Sequence, residues 1–202
     1  PMRLGLQHLR RARRDPRVDF DEVLDENLER MLAEIDRLDE IARAFSRYGS
    51  VPEDEAAPDA VDVAAVVEDV VRLEQLGAGE VDWAVDGVAS SVMALAREPE
   101  LRNVLLNVLE NARHAGSRRV RVSVAKGDGS VGIVVRDDGH GIAPDVLPRI
   151  FEPHFSTRTS GSGLGLAISR RLIEGWGGGI DVASTAGDGT AVSIRLVAKR
   201  SS

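Results

Sequence analysis

Between Phe20 and Arg47 the apolar residues Leu24, Leu28, Met31, Ile35, Leu38, Ala42 and Phe45 recur at alternating steps of four and three. Most positions between them are Glu, Asp or Arg, which is the heptad pattern of a long helix with one apolar seam. Met2, Leu6 and Leu9 share a face of an earlier helix over 1–14, which Asp15-Pro16 ends. Together these predict a helical hairpin over residues 1–48. A long helix cannot bury such a seam by itself, so a second copy of the chain is expected to complete a dimeric four-helix bundle. A monomeric hairpin packed on the following domain is the alternative. Residues 49–60, with Pro52, Pro58 and the acidic Glu53-Asp-Glu55, break every period and read as a linker.

From Val61 onward, helical and strand periods mix, which predicts an α+β domain over 61–199. Val67, Val70, Val71 and Glu74 mark a helix over Ala64–Leu76, and Val81–Val85 and Val92–Leu95 read as strands. Leu101, Val104, Leu105, Val108 and Ala112 form the apolar face of a helix over Glu100–Ala115. Val120–Val124 and Val131–Val135 alternate around a Gly-rich turn, a hairpin pattern. Pro144–Ile150 reads as a short helix, and the polar run over 152–160 as a mobile loop. Leu166, Ile168, Leu172 and Ile173 mark a helix ending at Gly175, and a last hairpin turns at Gly187-Asp-Gly-Thr190.

Composition narrows what this domain does. The 202 residues are 43% hydrophobic and 29% charged, enough for a buried core, with no apolar run long enough to cross a bilayer. The absence of cysteine excludes disulfides and thiolate metal sites. A net charge of −7 and 3% aromatic residues argue against a nucleic-acid surface. The basic group Arg10, Arg11, Arg13 and Arg14 reads as a solvated helix end.

Two glycine clusters stand out. Gly161-Ser162-Gly163-Leu164-Gly165-Leu166 precedes a helical pattern, an arrangement that turns backbone N–H groups and a helix N-terminus toward an anion such as phosphate. Asp137-Asp-Gly139-His-Gly141-Ile142 follows a strand and reads as a nucleobase pocket, Asp137 being the acceptor that an adenine amino group needs. A pair of ordinary Gly-rich turns is the alternative. Asn103, Asn107, Asn111 and His114 form a polar stripe on the Glu100–Ala115 helix, where asparagine offers little helical stability. Their amide oxygens suit Mg²⁺, or the stripe is an exposed polar face.

Together these stretches resemble the sensor histidine kinases, over nearly the whole chain. Asn107-Val-Leu-Glu-Asn111-Ala resembles that family's asparagine box, and Asp137-Asp-Gly-His-Gly-Ile142 its first glycine box. Ile150-Phe-Glu-Pro-His-Phe155-Ser156-Thr157 resembles its phenylalanine box, Gly161–Leu166 its second glycine box, and Gly187-Asp-Gly-Thr190 its last glycine motif. The resemblance implies an α/β sandwich holding ATP and Mg²⁺ between a mixed sheet and a mobile lid. It implies that Asp137 bonds the adenine amino group, with Gly139, Gly141 and Ile142 beside the base. It implies Asn111 as the Mg²⁺ ligand and Asn107 facing the phosphates. Phe155, Ser156, Thr157 and Arg158 would belong to the lid, with Arg158 reaching the terminal phosphate, and Thr190 would complete the nucleotide site. Asn107 and Arg158 are the expected catalytic pair.

The family's acceptor histidine sits in a His-Glu-x-x-Asn-Pro box, which this sequence lacks. His8 is followed by Leu9-Arg10 and no Asn-Pro, so it is not expected to be the acceptor. The first residues resemble those just after that box in the nitrogen-regulation type, which would place the acceptor upstream of Pro1. The expected function is the catalytic core of a two-component kinase, donating the γ-phosphoryl of ATP to a histidine for relay to the receiver domain of a response regulator. A homodimer in the cytoplasm is expected, with no membrane contact of its own and a membrane-anchored parent. A non-catalytic nucleotide-binding module, and an ATPase or serine kinase on the same fold, are the alternatives.

Overall fold

The computed structural model describes residues 57–77, 81–87, 91–158 and 162–199, together with a helical stretch over 20–32 apart from 22 and 26. The chain divides into two units, Pro1–Glu55 with Ser156–Gly163, and Ala56–Phe155 with Leu164–Ser202. In the first, the helical stretch buries Asn27, whose side-chain amide donates to the Val23 carbonyl at 2.7 Å, while Leu28 and Leu32 are exposed. The predicted helix over 1–14, the later seam residues Ile35, Leu38, Ala42 and Phe45, and the stretch 49–56 lie outside the described residues.

The second unit runs β1 (Asp59–Asp62), α1 (Val63–Leu76), β2 (Asp82–Asp86), β3 (Met93–Ala96), α2 (Glu98–His114), β4 (Arg119–Lys126), β5 (Ser130–Asp137), α3 (Gly165–Gly175), β6 (Gly179–Thr185) and β7 (Gly189–Val197). β2, β4, β5, β7 and β6 form one mixed sheet in that order: β2 and β4 are parallel, all other neighbours antiparallel. β1 and β3 make a separate antiparallel pair. This is the α+β domain that the patterns predict, in the sandwich form that the resemblance implies.

Strand alternation sorts the large sheet into an exposed face and an inner face. Val120, Val122 and Val124 of β4, Val131, Ile133 and Val135 of β5, and Val192, Ile194 and Leu196 of β7 all point inward and are buried. The three helices described in this unit cover that face. α1 contributes Val63, Val66, Val67, Val70 and Val71, and α2 contributes Leu101, Val104, Leu105, Val108 and Leu109. Ile173 and Trp176, at the end of α3, join the same core.

Two ends are fixed by charge and capping. The Asp62 carboxylate accepts from the Ala64 and Ala65 amides, capping α1, and from the Val92 amide just before β3. One side chain thus starts a helix and holds the small sheet to it. α2 carries Glu98 and Glu100 in its first turn and Arg113 and His114 in its last, the arrangement its dipole favours.

The short helix expected over Pro144–Ile150 is not formed. Only Leu147–Arg149 is helical, as a single 3-10 turn. Pro148 has no N–H to donate, so an α-helical ladder cannot pass through it, and separate turns from Ala143 to Val146 and Val146 to Arg149 take its place.

Candidate nucleotide site

The inner face of the sheet changes character at one end. The pairing registers place Val182, Val192, Val135 and Val122 in one row across four strands. One step further along the same parity, the row reads Ser184, Thr190, Asp137 and Val120. On β6, β7 and β5 apolar packing stops there and three polar groups stand side by side, half-buried, while Val120 on β4 stays in the core.

Asp137 is held by one oxygen. Its Oδ1 accepts from the Gly139 amide at 2.9 Å and lies 3.2 Å from the buried Ser117 hydroxyl, which is also 2.6 Å from the Ala112 carbonyl. Its Oδ2 accepts from no described residue. Asp138, next along the chain, turns the other way. It accepts from the Arg119 and Arg118 amides and pairs with the Arg119 side chain. Those amides, Arg119 first, hold its carboxyl below the ordinary value.

The first glycine cluster is pressed against the last hairpin. Gly141 has φ +67°, and a Cβ there would sit 2.0 Å from the Thr185 carbonyl oxygen, so only glycine fits. The Ile142 amide donates to the Ser184 hydroxyl, and the His140 carbonyl accepts from the Gly187 amide. Gly139 packs equally close against Ala115 and Ser117 at the end of α2.

Helix α2 links this pocket to the start of α3. At its C-terminal end the Ala115 carbonyl accepts from the His140 amide. Two turns earlier, the Asn107 amide donates to the Ser169 hydroxyl of α3 at 3.1 Å, and that hydroxyl donates to the Gly165 carbonyl. A Cβ on Gly165 would lie 2.1 Å from Asn107 Oδ1, so any larger first residue of α3 pushes the Asn107 side chain out of its place. Asn111 lies one turn from Asn107, about 6 Å along the axis, and its half-buried side chain bonds no described residue. The first-turn amides of α3 at Gly165 and Leu166 have no partner within the helix, the usual state of a helix N-terminus.

The structure therefore brings Asp137, Gly139, Gly141, Ile142 and Thr190 together at the strand ends, and Asn107 against Gly165. Phe155 is stacked under the Arg149 guanidinium, 4.2 Å from its ring centre, and Phe151 under Arg170. Ser156, Thr157, Arg158, Ser162 and Gly163 belong to the first unit, where the Ser156 hydroxyl takes the Arg158 amide in a local turn. Gly161 lies outside the described residues. Ser117, Ser169 and Ser184 were not picked out from the sequence. The His140 ring is exposed and, among the described residues, bonds only the Gly141 carbonyl of its own turn.

A mixed sheet with its helices on one face, ending in a carboxylate between glycine turns, defines the class: an α/β sandwich. Residues 96–200 match the family described as histidine kinase-, DNA gyrase B-, and HSP90-like ATPase. The chain belongs to that family, within its sensor histidine kinase branch, of which it carries the catalytic ATP-binding domain.

The sensor histidine kinase ZraS of Salmonella typhimurium is 48% identical over 99 residues, covering 48% of this chain and 21% of that kinase. The nitrogen regulation protein NtrY of Azorhizobium caulinodans is 27% identical over 208 residues, 98% of this chain and 26% of that protein. Among solved structures, the mycobacterial sensor histidine kinase MprB superposes with a TM-score of 0.62 at 28% identity, over 71% of this chain and 99% of that one. The chain thus spans about a fifth to a quarter of the length of these two curated relatives.

Proposed function

We propose that the second unit binds Mg·ATP at the strand-end row and serves as the phosphoryl donor of a two-component kinase. The observation that carries this is Asp137, anchored through Oδ1 while Oδ2 is left for a donor. A 6-amino purine supplies that donor, and Gly139 and Gly141 let the backbone come close to a flat ring. Further along α2, Asn111 offers an amide oxygen of the kind Mg²⁺ accepts, and the start of α3 offers amides to phosphate. The donor set therefore fits the nucleotide and its metal. Asn107, fixed to Ser169, holds the α3 N-terminus in place beside Asn111. Arg158, on the lid segment 156–163, is the cation assigned to the terminal phosphate.

The bound nucleotide supplies a γ-phosphoryl group whose transfer needs positioning and charge neutralisation more than covalent help from the protein. In this proposal the group goes to a histidine other than His8, and from there to an Asp of a response-regulator receiver domain. We assign residues 1–48 to dimerisation, the stretch from 49 up to β1 to a linker, and β1 through residue 199 to catalysis, with the protein acting as a homodimer in the cytoplasm. The heptad seam, with Leu28 exposed, supports the dimer. Among the described residues no helix is long and apolar enough to cross a membrane.

Calorimetric titration with Mg·ATP tests the core of this. Asp137→Asn should weaken binding by about tenfold or more, because an amide group in that place puts a donor or a weaker acceptor against the amino group. Unchanged affinity would remove Asp137 from the base pocket.

A further inference from the structure

The proton count at Ser184 decides what the row beside it can recognise. A serine hydroxyl has one proton and two lone pairs. Ser184 Oγ lies 2.8 Å from the Gly189 carbonyl, which can only accept, so its proton goes there. The Ile142 amide, which can only donate, occupies one lone pair at 2.8 Å. Thr190 Oγ1 is the remaining neighbour, at 3.0 Å. All three contacts are satisfied together only if Thr190 is the donor to Ser184. The Thr190 proton is then committed away from Asp137, and its lone pairs are what the row presents.

Asp137 and Thr190 are directly paired across β5 and β7. The Cβ atoms of residues so paired stand about 5 Å apart, so both side chains can face one group. An amino group, with two diverging N–H bonds, can serve two such acceptors at ordinary hydrogen-bond length. A purine with a 6-oxo group turns a carbonyl oxygen toward the same lone pairs, and its single ring N–H can reach only one of them.

We propose that Ser184 is a positioning residue for base selectivity: by taking the Thr190 proton it makes the Asp137–Thr190 pair an acceptor-only edge, which admits a 6-amino purine nucleotide and refuses a 6-oxo one. The inference rests on reading this strand end as the nucleobase pocket. Ser184 itself need not touch the base. Without its hydroxyl, Thr190 is free to turn its proton outward and serve a 6-oxo group.

Calorimetry of the 202-residue chain with ATP and with ITP, both with Mg²⁺, separates the possibilities. The wild type should favour ATP by about tenfold or more, and Ser184→Ala should narrow the ratio to about threefold or less. In a Thr190→Val background, Ser184→Ala should leave the ratio where Thr190→Val alone puts it. A Ser184→Ala variant that loses affinity for both nucleotides equally would show a merely structural role and overturn the inference. A wild type with no preference would instead overturn the base-pocket reading, and the inference with it. If Ser184→Ala does not fold, the wild type still decides by NMR. The Thr190 hydroxyl proton should exchange slowly enough to be observed, and rapid exchange would overturn the assignment.

Discussion

Val124, Ile133, Ile194 and Ile180 form one row of the sheet's inner face, and Asp137, Thr190 and Ser184 form another two rows on. The first row is at most 6% exposed and lies within the hydrophobic core. The second is half-buried and hydrogen-bonded to glycine loops. Both rows hang on the same backbone ladder and the same alternation of side chains. No extra element is needed to deliver the polar groups inward; the strands run on past the end of the apolar core. The difference assigns stability to the middle of the sheet and recognition to its end.

Several substitutions would break or sharpen that division. Ile133→Ala, at a fully buried site, should cost about 3 kcal/mol in urea unfolding. Its ATP affinity, measured well below the melting temperature, should stay within about twofold of the wild type. A loss of binding without a loss of stability would reverse the division. Asp62→Ala removes the α1 cap and its link to Val92, and should cost about 1–2 kcal/mol with no change in nucleotide affinity.

Gly165→Ala should show the opposite balance. Its Cβ displaces Asn107 from Ser169, a net loss of about 1 kcal/mol in stability. Nucleotide affinity should fall by a larger factor, because the start of α3 moves with it. The smallest effect is expected from acid. Asp62, through the Ser91 hydroxyl first and then the Val92, Ala65 and Ala64 amides, and Asp138, through the Arg119 amide, are both held below the ordinary value of 3.8. A depressed carboxyl contributes stability that is fully present above its unfolded value and is lost as pH falls through the folded one. Thermal melts should therefore be flat in these two terms above about pH 5 and decline below about pH 4, and Asp62→Asn should make that decline shallower.

The long periodic elements were legible because each carries its own pattern. α1, α2 and the strands β4, β5 and β7 fall where the apolar spacing puts them, within a few residues. The strand β1 was not, since four residues hold too short a period and its partner β3 lies some thirty residues on. In Pro144–Ile150 the spacing suggested a helix and the backbone chemistry of Pro148 forbade one. Of the residues now grouped at the strand ends, Asp137 and Thr190 stood out through their glycine neighbours. Ser184 did not, although a signal was there: it occupies the inward parity of Ile180 and Val182, a polar residue where the strand pattern calls for an apolar one. Ser117 and Ser169 had no such mark, because their partners Ala112, Asp137, Asn107 and Gly165 are brought to them only by folding.

The pairing of β5 with β7 also has a consequence for the chain between them. Eight paired positions, from Ser130 with Val197 to Asp137 with Thr190, fix both ends of a segment that contains residues 156–163, α3 and β6. For a polymer tethered in this way, closure entropy rises only with the logarithm of length, so doubling the loop costs about 0.6 kcal/mol. Residues inserted in the stretch 156–163 would thus draw little on the stability of the sheet, and Asp137 and Thr190 would keep their pairing. That stretch is free to vary in length while the sheet stays fixed.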